Sequence, residues 1–141
     1  MKKIVTRFGE VEYNPDNLLT FPAGLIGFPH LQHFVVMPNQ KEGPLFWIQS
    51  VDDPVFAFVL TDPTNFFLDY RIALDKSERE FLQIDDDAPY YVLSVVTVPQ
   101  DQNITLNLAA PILFSPGTNR AMQVILEDGN YSSKTPLPKT E

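Results

Sequence analysis

The stretch from Leu18 to Val36, LLTFPAGLIGFPHLQHFVV, constrains the fold more than any other part of the chain. Its apolar side chains Phe21, Leu25, Ile26, Phe28, Leu31, Phe34 and Val35 require a core. Pro22, Gly24, Gly27 and Pro29 cut the backbone between them into short turns, because proline fixes φ and lacks a donor while glycine reaches positive φ freely. A tight, apolar, kinked connection of this kind packs only if something larger receives it. The rest of the chain supplies strand after strand rich in Phe, Tyr, Val and Leu. The stretch therefore reads as the plug or corner of a small β structure.

With 141 residues, the chain is expected to form one domain around a single core. It contains no cysteine, which excludes disulfides, thiolate metal sites and a thiol nucleophile, and fits a reducing compartment. Met1-Lys2-Lys3 is followed by only two apolar residues, too few for a signal peptide. The longest apolar block, Val55 to Leu60, is too short to span a bilayer. A cytoplasmic, soluble location is the expectation.

In order along the chain, Ile4 to Phe8 and Glu10 to Tyr13 predict a hairpin about Gly9. Phe34 to Met37 predicts a strand, and a turn follows at Gln40 to Pro44. Phe46 to Val51 and Val55 to Leu60 predict a second hairpin around Asp52-Asp53-Pro54. The second of these strands is apolar on both faces, which places it at the centre of a sandwich or in a barrel wall covered on its outside. Asp62-Pro63 reads as a cap and first position of a short helical turn, and Tyr70 to Leu74 as extended. Asp75, with Glu78 three residues on, predicts a capped helix over Lys76 to Gln83, with Phe81 and Leu82 against the sheet. Strands are predicted at Tyr90 to Val98, Ile104 to Leu108, Ile112 to Phe114 and Ala121 to Leu126, separated by turns at Pro99 to Asn103 and Ser115 to Asn119. Residues 129–141 are polar, contain two prolines and read as a loose tail after a domain of residues 1–128.

Reaction chemistry is absent from this pattern. His30 and His33 lie beside prolines and aromatics and read as half-buried surface residues rather than ligands or bases. Asp85 to Asp87 lacks the alternating ligands, glycine and closing glutamate of a calcium loop. The glycines form neither a dinucleotide nor a phosphate-loop motif, and no cofactor is implied. The charge is more informative. The chain holds 18 acidic and 10 basic residues, a net charge of −8, and the segment from Asp52 to Asp101 alone contains eleven of the carboxylates against three basic residues. Such a field repels nucleic acid and steers toward a basic partner, over a range of about 8 Å at physiological salt. An acidic, aromatic-rich β domain without reaction chemistry points to a binding module, with neither nucleic acid nor membrane as direct partner.

Five blocks, taken together and in order, resemble the bacterial flagellar assembly factor FliW family. They are Phe21-Pro22-Ala23-Gly24-Leu25-Ile26-Gly27-Phe28, Gln49-Ser50-Val51, Phe66-Phe67-Leu68-Asp69-Tyr70, Asn107-Leu108-Ala109-Ala110-Pro111-Ile112, and Gln123-Val124-Ile125-Leu126 with Tyr131. Ile26 departs from the pattern, which usually has proline there, and this bears on the local turn geometry. The resemblance implies a mainly β, small antiparallel β-barrel-like single domain with one or two short helices. It also implies a non-enzymatic regulatory role: binding CsrA, a small basic mRNA-binding translational repressor, to sequester or allosterically antagonise it, and binding flagellin, so that flagellin synthesis follows assembly.

Laid onto this sequence, the repressor would meet Asp52, Asp53, Asp62, Phe66, Asp69 and Tyr70, where aromatic groups stand beside carboxylates. The competing reading places Phe66 and Tyr70 in the core and leaves the carboxylates to solvent. An amphipathic flagellin segment would use the apolar surface at Gly24, Leu25 and Phe28. The rivals are a small-ligand-binding or enzymatic β-barrel, with a cavity lined by Phe46, Phe58 and Tyr90, and a flagellin chaperone without translational control.

Overall fold

The computed structural model describes residues 1–37, 43–100, 103–127 and 129–137. The first hairpin is β1 (Lys2–Thr6) with β2 (Gly9–Tyr13), a two-stranded sheet of its own. Its turn falls on Arg7 and Phe8, one residue earlier than expected. Gly9 opens the return strand at φ +91° instead of forming the turn's centre.

The remaining strands are β3 (Leu19–Thr20), β4 (His33–Met37), β5 (Leu45–Ser50), β6 (Ala57–Thr61), β7 (Tyr91–Thr97), β8 (Thr105–Leu106), β9 (Ile112–Ser115), β10 (Arg120–Gln123) and β11 (Thr135–Pro136). Among the described residues, seven of them close a ring in the order β7-β6-β5-β4-β3-β10-β9 and back to β7. The pairings are antiparallel except β3 with β10, which meet in parallel at Thr20 and Arg120. Strands β8 and β11 extend outward from β7. The expected turn at Gln40 to Pro44 and the one at Pro99 to Asn103 fall partly outside the described residues.

The plug reading of the opening stretch holds. Phe21, Leu25, Leu31 and Phe34 are buried in the ring with Ile48, Leu60, Ile112 and Ala121, and the rings of Phe21 and Phe34 meet edge-on at 5.3 Å. Each such side chain removed from water stabilises the fold by roughly 1.5–3 kcal/mol. The plug can double back because of Gly24. This residue sits at φ +72°, and a Cβ there would lie 2.6 Å from the Phe28 carbonyl oxygen and from Pro29 backbone atoms. Leu25 and Phe28 then close a tight bridge with Ile26 and Gly27 at its tip. Ile26, expected in the core, is instead 48% exposed because it occupies that tip. Its N–H donates to Gln123 Oε1 at 2.9 Å, a bond that proline could not make.

A second cluster covers the outside of the wall. Tyr70, Val96, Leu106 and Leu108 are buried there, with Val59, Phe66, Phe67, Val92, Tyr131 and Leu137 packed against them. Strand β6 is thus apolar on both faces because Leu60 points into the ring and Val59 into this outer cluster. The described part of the expected loose tail is docked here. Leu108 donates to the Ser132 carbonyl, β11 pairs with β8, and the Tyr131 ring packs edge-on against Tyr70 at 4.9 Å. An apolar surface on Tyr70 and Leu106 overrides the polar composition of the segment.

Helix α1 (Lys76–Leu82) has the expected capping box, with Asp75 accepting from the Glu78 N–H and Glu78 accepting from the Asp75 N–H. Gln83 ends it in the left-handed conformation at φ 60°. Leu82 is fully buried, and the Arg120 guanidinium donates to the Phe81 carbonyl, tying α1 to β10. Residues 70–74, expected as extended, join no strand pairing among the described residues.

Candidate functional site

Among the described residues, Phe21, Leu31, Phe34, Ile48, Leu60 and Ile112 pack together inside the barrel, and the groups within a partner's reach lie on the outer surface. The three residues proposed to line an internal cavity do not come together. Phe46 and Phe58 pack on the interior cluster, whereas the Tyr90 hydroxyl donates to the Ile72 carbonyl at 3.0 Å under the Arg79 guanidinium.

Asp62 to Leu74 forms an arm that leaves β6 and crosses the outer wall. It leaves because Asp62 caps a 3-10 turn at Pro63–Asn65, its Oδ1 accepting from the Thr64 N–H at 2.9 Å and the Thr64 hydroxyl at 2.6 Å. A side chain so engaged shapes the arm first and offers charge second. Phe66 is half-buried in the outer cluster. Tyr70 is only 4% exposed and its hydroxyl donates to the Leu108 carbonyl at 2.8 Å, the arrangement of a core residue. Between them Leu68 is 76% exposed and Asp69 is exposed, so the tip of the arm presents an apolar group beside an exposed carboxylate.

Beneath the arm lies a groove of about 360 Å³ lined by Asp62, Thr64, Tyr70, Arg71, Ile72 and the start of β7 at Tyr90 to Val92. Tyr91, 54% exposed, stacks on Phe114 at 6.2 Å. Arg71 and Tyr91 were not among the residues expected from the sequence. The signal that could have found them is the Asp62-Pro63 cap, which takes the chain away from β7 and leaves that strand's beginning uncovered.

Asp52 and Asp53 sit elsewhere, in the turn between β5 and β6. The Asp52 carboxylate accepts from the Gln32 and His33 N–H groups, each at 2.7 Å, and meets His33 Nδ1 at 3.1 Å. Partial desolvation opposes its ionisation, but the two backbone donors and then the imidazole outweigh it and hold the carboxyl below the usual range. Asp53 accepts from the Val55 N–H within the same turn. Buried Gln49 locks this turn from below, its amide nitrogen donating to the carbonyls of Ser50, Pro54 and Phe56. The structure therefore groups Asp62, Phe66, Asp69 and Tyr70 on one arm and places Asp52 and Asp53 in a separate turn.

Gly24 and Leu25 are buried, so at the plug only Ile26, Phe28 and their neighbours reach a partner. A hollow of about 190 Å³ opens there between Leu25, Ile26, Phe28, Phe58 and Val95, with Asn107 and Gln123 at its edge. The Phe28 ring lies 5.2 Å from Phe56 and 5.5 Å from Phe58. Among the described residues no group of three or more metal-ligating side chains is assembled, and no helix is long and apolar enough to cross a membrane.

Comparison with known proteins gives a consistent result. The FliW protein family model matches residues 2–137. Flagellar assembly factor FliW 2 of Desulfotalea psychrophila is 65% identical over 138 residues, covering 98% of this chain and 91% of that protein. Flagellar assembly factor FliW of Syntrophotalea carbinolica is 60% identical over 137 residues, covering 97% and 98% respectively. A crystal structure of the flagellar assembly factor FliW superposes with a TM-score of 0.87 at 33% identity, covering 99% of this chain and all of the other.

Proposed function

The chain belongs to the FliW family, and from that premise we propose that it is a non-enzymatic cytoplasmic regulator that binds a basic, CsrA-type mRNA-binding repressor and also binds flagellin. Partner exchange is then its activity: flagellin leaving the cell frees the protein to capture the repressor and release flagellin message. The observation that carries this reading is the arm of residues 62–74. It is anchored by the hydrogen bonds of Asp62 and Tyr70 and presents exposed Leu68 and Asp69 from the most acidic third of the chain. An apolar contact beside a carboxylate suits a cationic protein surface. The plug surface at Ile26 and Phe28, apolar and distinct from the arm, is the position for a flagellin segment.

The test mixes the purified protein with the repressor and with flagellin at low ionic strength, and complex formation with both is expected. Adding the protein to repressor-bound RNA separates two modes. Direct competition raises the apparent RNA dissociation constant without limit, whereas an allosteric antagonist reaches a plateau. Asp69→Lys should weaken repressor binding about tenfold or more with an unchanged melting temperature. Asp62 is unsuitable for that purpose, because its carboxylate holds the turn. Binding of flagellin alone makes the protein a chaperone without translational control.

A further inference from the structure

Among the described residues, no strand fills the position beside the start of β7 in the groove under the arm. Strands β6 and β7 pair as far as Thr61 opposite Ser94, where the Asp62 cap and Pro63 turn the chain away. Strand β7 continues to Tyr91 and keeps β9 on its other edge, with Leu93, Val92 and Tyr91 opposite Ile112, Leu113 and Phe114. The Asn107 N–H donates to the Val95 carbonyl at 3.0 Å, which fixes the direction of the backbone. Val95, Leu93 and Tyr91 turn their polar backbone groups toward β8 and β9. By alternation, Ser94 and Val92 turn theirs to the side of β6. For Ser94 that side holds Thr61; for Val92 it is the groove, walled by Tyr70, Ile72, Tyr90 and Tyr91.

Charge selects what can lie there. Residues 62–92, which form the arm, α1 and the groove's inner edge, carry eight acidic and three basic side chains. Two of those cations are held in place, Arg71 donating to the Leu68 and Tyr70 carbonyls and Arg79 to the Asp85 carbonyl while lying 5.4 Å over the Tyr90 ring, and with their charge counted the segment still balances at −5. We propose that this groove takes an extended, lysine- or arginine-bearing peptide segment of a partner protein, which pairs with the Val92 backbone as an added strand in continuation of β6. Strand addition of this kind draws affinity from the main chain and specificity from the flanking pockets. Here those pockets are the tyrosine walls and the Asp62 carboxylate. The inference rests on the reading of the acidic arm as a binding face and adds the mode of binding and its seat.

The experiment uses the full chain and a capped synthetic peptide, Lys-Val-Arg-Val-Lys, with binding followed by fluorescence anisotropy and amide hydrogen exchange by NMR. Expected are slowed exchange of the Val92 amide by about tenfold or more, and an affinity that falls as salt rises. The same peptide N-methylated at its central residue should bind about tenfold more weakly, since it loses the main-chain bond but keeps its charge. Tyr91→Ala, which removes a groove wall, should weaken binding several-fold while lowering the melting temperature only by what loss of the Phe114 stacking costs, and Phe114→Ala, which removes the same stacking and leaves the wall, should bind the peptide better than Tyr91→Ala does. Equal binding by the N-methylated peptide, equal protection of Val92 by spermine, or no change at Val92 overturns the proposal. Repressor that binds without protecting Val92 overturns the groove and leaves the proposed function standing. Peptide that protects Val92 while the repressor fails to bind does the reverse.

Discussion

At Asp52, two backbone N–H groups and an imidazole converge on one carboxylate, and this has a pH signature. The folded-state pKa is depressed, so the stability that Asp52 contributes is fully present above its unfolded value of about 3.9 and is lost as pH falls through the lower folded value. Acid titration of the wild type should therefore show a destabilising limb below about pH 4 that becomes shallower in Asp52→Asn, with the variant already less stable at pH 7. Circular dichroism melts across the acid range check this. Gly24 supplies a second residue-scale prediction. Gly24→Ala puts a Cβ at 2.6 Å from backbone and at positive φ, and should destabilise by more than about 2 kcal/mol in urea. The same change at Gly27, which has open space around its Cβ direction, should be milder because only the φ of +86° opposes it.

Among the elements, the docked segment around β11 makes the sharpest prediction. Ending the chain after Glu127 strips the cover from Tyr70, Leu106 and Leu108, removing the Tyr131 ring and Leu137, and should cost about 2–4 kcal/mol of unfolding free energy. A freely moving tail would leave it unchanged. In α1, Asp75→Ala should lower the melting temperature and speed exchange of the helix amides, because it removes the carboxylate that accepts from the Glu78 N–H and leaves only the Glu78 half of the capping box. That helix was legible in the sequence because its start signal is local, an aspartate and a glutamate three apart. The β5 and β6 hairpin was legible for the same reason, with Asp52-Asp53-Pro54 between two apolar runs. Strand β11 was not, since two residues carry no periodicity and what holds them is a surface built by residues about 30 or more positions earlier. The exposed tip at Ile26 escaped for a related reason: hydrophobicity alone does not say which residue of a tight turn points outward. At the site, the acidity of the arm could be counted from the sequence. The burial of Tyr70 and the internal engagement of Asp52 and Asp62 depend on contacts that only the folded chain makes.

For the whole molecule, a net charge of −8 concentrated on one third of the chain predicts that association with a cationic partner slows as salt is added, while dissociation changes less. Stopped-flow mixing across an ionic-strength series tests it, and an association rate independent of salt would place recognition in the apolar contacts alone. The ring that carries this charge is closed by long-range contacts, β9 with β7 on one side and Thr20 with Arg120 on the other. Closing loops of that length before any contact rewards them makes folding slow relative to a helical bundle. During synthesis the hairpins can form as they emerge, but the parallel contact waits until Arg120 has left the ribosome. A nascent chain therefore displays its apolar plug without the wall that receives it until β10 has been made, and termination before Arg120 leaves the ring open around that plug.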